Sequence, residues 1–183
     1  ADNELFSGLL ARISEIKNTG KAPEDTDREG GQVPTAEVFR LYEEKKMRAG
    51  RIDFDDMLLL TKELLERDPA VLKYWQEKFT YICVDEFQDI NPMQYRIVKL
   101  LAAPENNLFI VGDDDQSIYR FRGADIGIML SFKDRYPDAK IITLENNYRS
   151  DISIVEASKR LIANNEDRLK KEYFATSEKE GDI

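Results

Sequence analysis

Tyr81-Ile82-Cys83-Val84-Asp85-Glu86-Phe87-Gln88-Asp89 is the stretch that decides the fold. Its first four residues form a short unbroken apolar run, the pattern of a strand covered on both faces, and the run stops abruptly at two acids. Cys83, inside that run, reads as a buried core thiol. The pattern recurs at Leu108-Phe109-Ile110-Val111, which ends in Gly112-Asp113-Asp114-Asp115-Gln116, and a third apolar run follows at Ile141-Ile142-Thr143-Leu144. Helical stretches separate the runs. Asn91-Pro92 caps one that reaches about Ala103, a short one spans Ile126 to Tyr136, and Ser150 or Asp151 opens another that ends near Asn164. Strands alternating with helices predict an α/β fold with a parallel sheet and right-handed crossovers.

Upstream the pattern is helical. Leu5, Leu9, Ile13 and Ile16 share one face of a helix over 1–19, and 20–34 reads as a loop with an acidic middle. Thr35 can cap a helix to about Ala49, with Val38, Leu41 and Tyr42 inward. Asp53 can cap the next, whose buried face would be Phe54, Met57, Leu58, Thr61, Leu64 and Leu65. Asp68-Pro69 ends that helix and starts another, striped by Leu72, Trp75 and Phe79. A compositional boundary falls near residue 50, and the tail from Asp167 to Ile183 is highly charged with no clear pattern.

Composition narrows the function classes. With 183 residues and 42% hydrophobic content, the chain can bury a core as one domain or parts of two. Histidine is absent, which removes histidine-based triads and nearly all zinc sites, so any metal would be a hard cation on carboxylates. One cysteine allows no internal disulfide, in keeping with a reducing cytoplasm. No apolar run approaches the ~20 residues that span a bilayer, and the first residues do not look like a signal peptide. The net charge of −9 argues against a nucleic-acid binder unless basic residues are gathered locally.

Ligands of an open parallel sheet bind beyond the carboxyl ends of its strands. Asp85-Glu86 and Asp113-Asp114-Asp115 both lie there. Clustered carboxylates repel, and a magnesium ion carried by a phosphate offsets the repulsion. Adjacent Asp85 and Glu86 point apart, so one can hold a metal while the other faces a water. On residue types alone, acids at strand ends also simply cap turns.

The longer strings are more specific. VDEFQD at Val84 to Asp89 resembles the Walker B motif of superfamily 1 helicases, VGDDDQSIYRFRGA at Val111 to Ala124 resembles their third motif, and LENNYRS at Leu144 to Ser150 resembles their fourth. DFDDML at Asp53 to Leu58 looks like the segment where the chain re-enters the first motor domain. Order and spacing fit the UvrD/Rep/PcrA type. Phenylalanine at 121, where tryptophan is commoner in UvrD-like members, is also found in RecB/AddA-like relatives.

The resemblance implies part of the parallel sheet of a RecA-like (P-loop NTPase) motor domain with an N-terminal helical segment. Residues 1–50 would end the helical insertion 1B, 51–138 would be the later half of motor domain 1A, and 139–183 would start domain 2A. By the family pattern Asp85 would bind Mg2+ through water and Glu86 would activate the attacking water. Gln116 would sense the γ-phosphate of ATP, and Arg149 would stabilise charge on it. Tyr119, Phe121 and Arg122 would line the path of single-stranded DNA, where aromatic rings stack on bases. By residue type alone Tyr119 and Phe121 are core. Arg120 and Arg122 supply a local basic strip, Asp113 would lie near the metal, Asp114 and Asp115 would serve turns, Gln88 would bond neighbouring motifs, and Gln94 would be structural.

No G-x-x-x-x-G-K-[ST] phosphate cradle occurs in the sequence. The expectation is therefore an internal excerpt of a cytoplasmic, ATP-dependent helicase, moving 3′-to-5′ on single strands and duplex junctions. Alone it would be inactive and open to self-association through unpaired sheet edges. Two other readings remain: a helicase-like module that only binds DNA or protein, and a generic acidic α/β domain that binds divalent cations. The joint presence of Asp85, Glu86, Gln116 and Arg149 disfavours both.

Overall fold

The computed structural model describes residues 2–28, 34–119, 123–165 and 168–177, with backbone alone at 2, 3 and 26–28. Helices α1 (Asp2–Thr19), α2 (Pro23–Arg28), α3 (Thr35–Arg48), α4 (Phe54–Arg67) and α5 (Pro69–Lys78) come first. The expected loop over 20–34 contains α2: Pro23 pre-sets its first turn, and Glu24 and Asp25 face the positive end of the helix dipole. Asp53 caps α4 through a reciprocal box with Asp56, and Asp68 caps α5 just before Pro69. On α3 the cap position falls on Pro34, and Thr35 is the first helical residue.

A charged cluster joins the first helices, in addition to the buried apolar residues Ile13, Ile16, Ala36 and Leu65. Lys17 is buried, and its ammonium lies 2.6 Å from Asp53, 2.8 Å from Asp56 and 2.8 Å from Glu43. Lys46 reaches the same three carboxylates, and Tyr42 Oη donates to Asp53 at 2.8 Å. Burial alone would lower the pKa of Lys17, but hydrogen bonds to Asp53, Asp56 and Glu43 outweigh it and hold the pKa above the ordinary lysine value. This cluster turns α4 about its axis relative to the expected face. Asp56 and Leu65 are buried, while Phe54, Met57 and Leu64 are exposed. On α1 only Ile13 and Ile16 of the predicted stripe are buried, Leu5 being exposed, and on α3 Leu41 is exposed.

Strand β1 (Ile82–Val84) pairs in parallel with β2 (Leu108–Ile110), with Val84 opposite Ile110. Between them run a 3-10 turn (Phe87–Asp89) and α6 (Pro92–Ala102), which Asn91 caps through a box with Gln94. After β2 come a second 3-10 turn (Asp114–Gln116), α7 (Ile126–Leu130) and α8 (Phe132–Arg135). The expected 126–136 helix is thus two pieces broken at Ser131. Strand β3 (Asn146–Asn147), α9 (Ile152–Ile162) and β4 (Phe174–Ala175) close the described chain.

Two further sequence expectations need correction. The run Ile141–Leu144 is not a strand: Ile141, Ile142 and Leu144 are all well exposed. A strand needs a neighbour to complete its hydrogen bonds, and the short β3 just beyond this run pairs with β4 in a separate parallel sheet. Cys83 is not a core thiol. The pleat sends it, with its partner Phe109, to the outer face, where Cys83 is exposed and Phe109 is 58% exposed.

The opposite face builds the core. Phe87, Ile90, Tyr95 and Ile128 are buried, with Val84, Val98, Ile110, Met129 and Phe132 packed around them. Phe87 meets Tyr95 and Phe132 edge to face, with ring centroids 6.0 and 5.7 Å away. This core lies directly under the acidic turn after β1, so burying Phe87 fixes where Glu86 and Gln88 stand.

Candidate functional site

The parallel register brings the carboxyl ends of β1 and β2 level. Two bonds continue the ladder past the strands: Val111 N donates to Val84 O and Phe87 N donates to Val111 O, both at 2.9 Å. Asp85 and Glu86 therefore leave the sheet beside Val111-Gly112-Asp113. Glu86 adopts a left-handed backbone, φ 50° and ψ 43°, a conformation costing about 1–2 kcal/mol in a residue with a Cβ. Asp85 Oδ1 accepts the Glu86 amide at 2.9 Å, which helps hold that turn.

Gln88, 1% exposed, bridges the two strand ends. Its Nε2 donates to Glu86 Oε2 at 2.7 Å, and its Oε1 accepts the Asp113 amide at 3.0 Å. Gln116 Nε2 in turn donates to Asp113 Oδ2 at 2.8 Å. Glu86, Gln88, Asp113 and Gln116 thus form one hydrogen-bonded row along the rim. Gly112 permits the close approach, since a Cβ there would lie 2.7 Å from Gln88 Oε1 and 3.1 Å from the Phe87 amide.

The three acids after β2 are held from the far end of the chain. Lys171 Nζ pairs with Asp113, with Asp114 at 2.5 Å and with Asp115 at 3.2 Å. Arg168 pairs with Asp115 at 2.7 Å, and the Leu169 amide donates to Asp114 at 2.7 Å. Burial would raise the pKa of Asp113, but Lys171 and Gln116 outweigh it and hold the carboxyl below its usual range. Its carboxylate also accepts the Asp115 amide at 3.2 Å. Asp113 therefore caps the turn and pairs with a lysine. Arg168 and Lys171 were missed in the sequence, where they look like any members of a charged run.

Among the carboxylates at this rim, Asp85 Oδ2 and Glu86 Oε1 have no partner among the described residues. Asp89 Oδ1 and Asp115 Oδ1 also lack a partner but are buried, so the oxygens of the exposed Asp85 and Glu86 are the ones open to a cation and a water. Among the described residues, the one group of three carboxylates with metal-ligand spacing is Glu43, Asp53 and Asp56, away from this rim, and Lys17 and Lys46 already pair with it.

Arg149 stands apart from the row. Its backbone amide donates to Asn147 Oδ1 at 3.0 Å, and its exposed guanidinium makes no ion pair among the described residues. Tyr119 is partly exposed and lines a recess of about 260 Å³ with Asp89, Asn91 and Gln94. Gln94 is structural as expected, serving the cap of α6. Phe121 and Arg122, with Arg120, lie outside the described residues. The larger cavity, about 480 Å³, lies at the opposite end of the strands, beside Ile82 and Asn107.

A family model described as UvrD/REP helicase N-terminal domain matches residues 2–137. The chain belongs to this family. Two UvrD/REP relatives, each named ATP-dependent DNA helicase PcrA and each from a strain of Staphylococcus epidermidis, are 46% identical over 166 residues. A protein of the same name from Staphylococcus aureus is 47% identical over the same length. The match takes in 89% of this chain and 23% of each relative, so the UvrD/REP segment described here spans about a quarter of their length. No described helix is long and apolar enough to cross a membrane.

Proposed function

We propose that this chain is an internal part of an ATP-dependent DNA helicase and carries the water-activating half of its ATPase site. The observation that carries the reading is the row Glu86–Gln88–Asp113–Gln116 at the level ends of two parallel strands. It puts a carboxylate and a side-chain amide of the two most specific motifs into one connected unit. Membership of a helicase family and the name shared by the Staphylococcus relatives support ATP as the substrate and DNA as the track.

In this reading Asp85, with one carboxylate oxygen uncommitted, would hold Mg2+. The ion would neutralise charge on the β- and γ-phosphates. Glu86 Oε1 takes a proton from the attacking water. Gln116 contacts the γ-phosphate and relays its presence to the neighbouring segment Tyr119, Phe121 and Arg122, which meets the single strand by stacking and charge. Arg149 stabilises transition-state charge on the γ-phosphate. Residues 1–50, 51–138 and 139–183 correspond to the end of insertion 1B, the later half of motor domain 1A of a RecA-like fold, and the start of 2A. The end of the family match at 137 supports the last boundary. Movement is 3′-to-5′, duplex junctions are the site of separation, and the protein is cytoplasmic.

Without a phosphate cradle the chain alone should not turn over. Phosphate release in the presence of single-stranded DNA should equal that of a Glu86→Gln control. In a polypeptide that joins this segment to a P-loop, turnover should appear and Glu86→Gln should abolish it. Turnover by the isolated chain above its control sinks the claim of inactivity, and full activity of Glu86→Gln in the longer protein sinks the assignment of Glu86.

A further inference from the structure

Gln88 is almost completely buried although its side chain is wholly polar. A buried amide left unpaired costs about 1–3 kcal/mol, and here both ends are used. The donor end meets the Glu86 carboxylate and the acceptor end meets the Asp113 amide, so one rigid group touches both strand tips. A carboxamide supplies a donor and an acceptor side by side at this length. Glutamate lacks the donor, methionine lacks both, and asparagine is shorter.

The neighbours leave Gln88 no freedom. Phe87 and the core hold its backbone, and Gly112 lies against its Oε1. Glu86, by contrast, is exposed, and a long exposed carboxylate samples several rotamers unless something selects one. The bond from buried Nε2 to Oε2 makes that selection and leaves Oε1 facing away without a described partner. On the other side, Asp113 both receives Gln88 and accepts from Gln116. A displacement of the Asp113–Gln116 turn is therefore transmitted to the Glu86 carboxylate through two hydrogen bonds to a single amide group.

Resting on the reading of Glu86 as the group that activates water, we propose that Gln88 is a positioning residue that couples the orientation of the Glu86 carboxylate to the Asp113–Gln116 turn. The coupling makes the base competent only when that turn is seated.

Two substitutions divide its two bonds. Gln88→Met removes both, whereas Gln88→Glu keeps an acceptor for the Asp113 amide and removes the donor to Glu86. In a polypeptide that joins this segment to a P-loop, both variants should lower DNA-stimulated kcat about ten-fold, the loss of one hydrogen bond to a charged group. KM for ATP should stay within about two-fold, because substrate binding is untouched. In the chain itself, amide exchange followed by NMR should show Asp113 protected in wild type and Gln88→Glu and deprotected in Gln88→Met. Wild-type kcat in Gln88→Glu, or retained Asp113 protection in Gln88→Met, overturns the proposal while Glu86→Gln still silences the enzyme. Wild-type turnover by Glu86→Gln instead removes the underlying assignment, and the proposal with it.

Discussion

Lys17 Nζ lies 2.6 Å from Asp53 Oδ2, joining the last turn of α1 to the residue that caps α4. Next to it, Asn18 donates to Asp55 at 2.8 Å and receives the side chain of Asn91, the cap of α6, at 3.1 Å. Polar contacts at two successive residues thus tie the N-terminal helices to α6, the helix that follows the turn after β1.

Replacing Lys17 by methionine should be severely destabilising. It leaves Glu43, Asp53 and Asp56 with Lys46 as their one remaining ammonium among the described residues. Removing one partner of a buried charge cluster costs about 3–5 kcal/mol. In a chain of this size that corresponds to a fall in Tm of roughly 6–20 °C. A thermal melt reads it directly, and a Tm unchanged from wild type would show that the cluster contributes little.

The same cluster sets a pH limit. Burial opposes ionisation of Asp53 and Asp56, but Lys17 and their other hydrogen-bond partners outweigh it, so both carboxyls have lowered pKa values. A carboxyl with a lower pKa in the folded state gives its stabilisation above its unfolded value, about 4, and gives it up as pH falls through the folded one. Lys17, raised in the folded state, loses its contribution only when pH rises beyond the ordinary lysine range, about 10.4. Urea midpoints should therefore hold steady from about pH 7 to pH 5 and drop below about pH 4. A profile that is equally steep in Lys17→Met would assign the acid sensitivity to other groups.

Gly112→Ala should disturb the rim without touching a charged group. The added methyl meets Gln88 Oε1 and two backbone amides, Phe87 N and Gln88 N, that the core holds in place. Overpacking of this kind costs about 1–3 kcal/mol. Faster exchange of the Asp113 amide should accompany the loss of stability. Unchanged exchange would mean that the strand ends can separate without breaking the row.

Lys171→Met should loosen the contact between the 168–171 segment and the turn after β2. Three carboxylates lose their shared ammonium, and Arg168 is left to pair with Asp115 alone. Exchange of the Leu169 amide, which donates to Asp114, should rise well above wild type. If that amide stays protected, the segment is held by something other than the ion pairs.

Cys83 offers a simple check on the sheet. Its exposure predicts reaction with Ellman's reagent in native buffer at a rate close to that of the unfolded chain. Strong protection would show that the outer face is covered in solution.

What the sequence reveals here is local. Asp53, Asp68-Pro69 and Asn91-Pro92 start helices because capping is decided within four residues, and all three are observed. The runs around Ile82–Val84 and Leu108–Ile110 form strands because each finds the other. What it conceals is partnership. Ile141–Leu144 has strand composition but no ladder to join, and apolar type does not say which face of β1 is covered, so Cys83 was misplaced. Lys17 was overlooked because a search for apolar periodicity passes over a buried lysine, and Lys171 because its three acids lie more than fifty positions away. The motifs single out Asp85, Glu86 and Gln116 as candidates, whereas the burial of Gln88 and its two bonds follow only from the folded chain.

On the role proposed for Glu86, its left-handed backbone means that the hardiest version of this polypeptide and its most useful version are different molecules. Asparagine or glycine tolerates that conformation better than glutamate. Anyone selecting variants for heat resistance alone would therefore be drawn toward discarding the carboxylate. A library screened that way should be sorted for retention of the Glu86 carboxylate before its winners are kept.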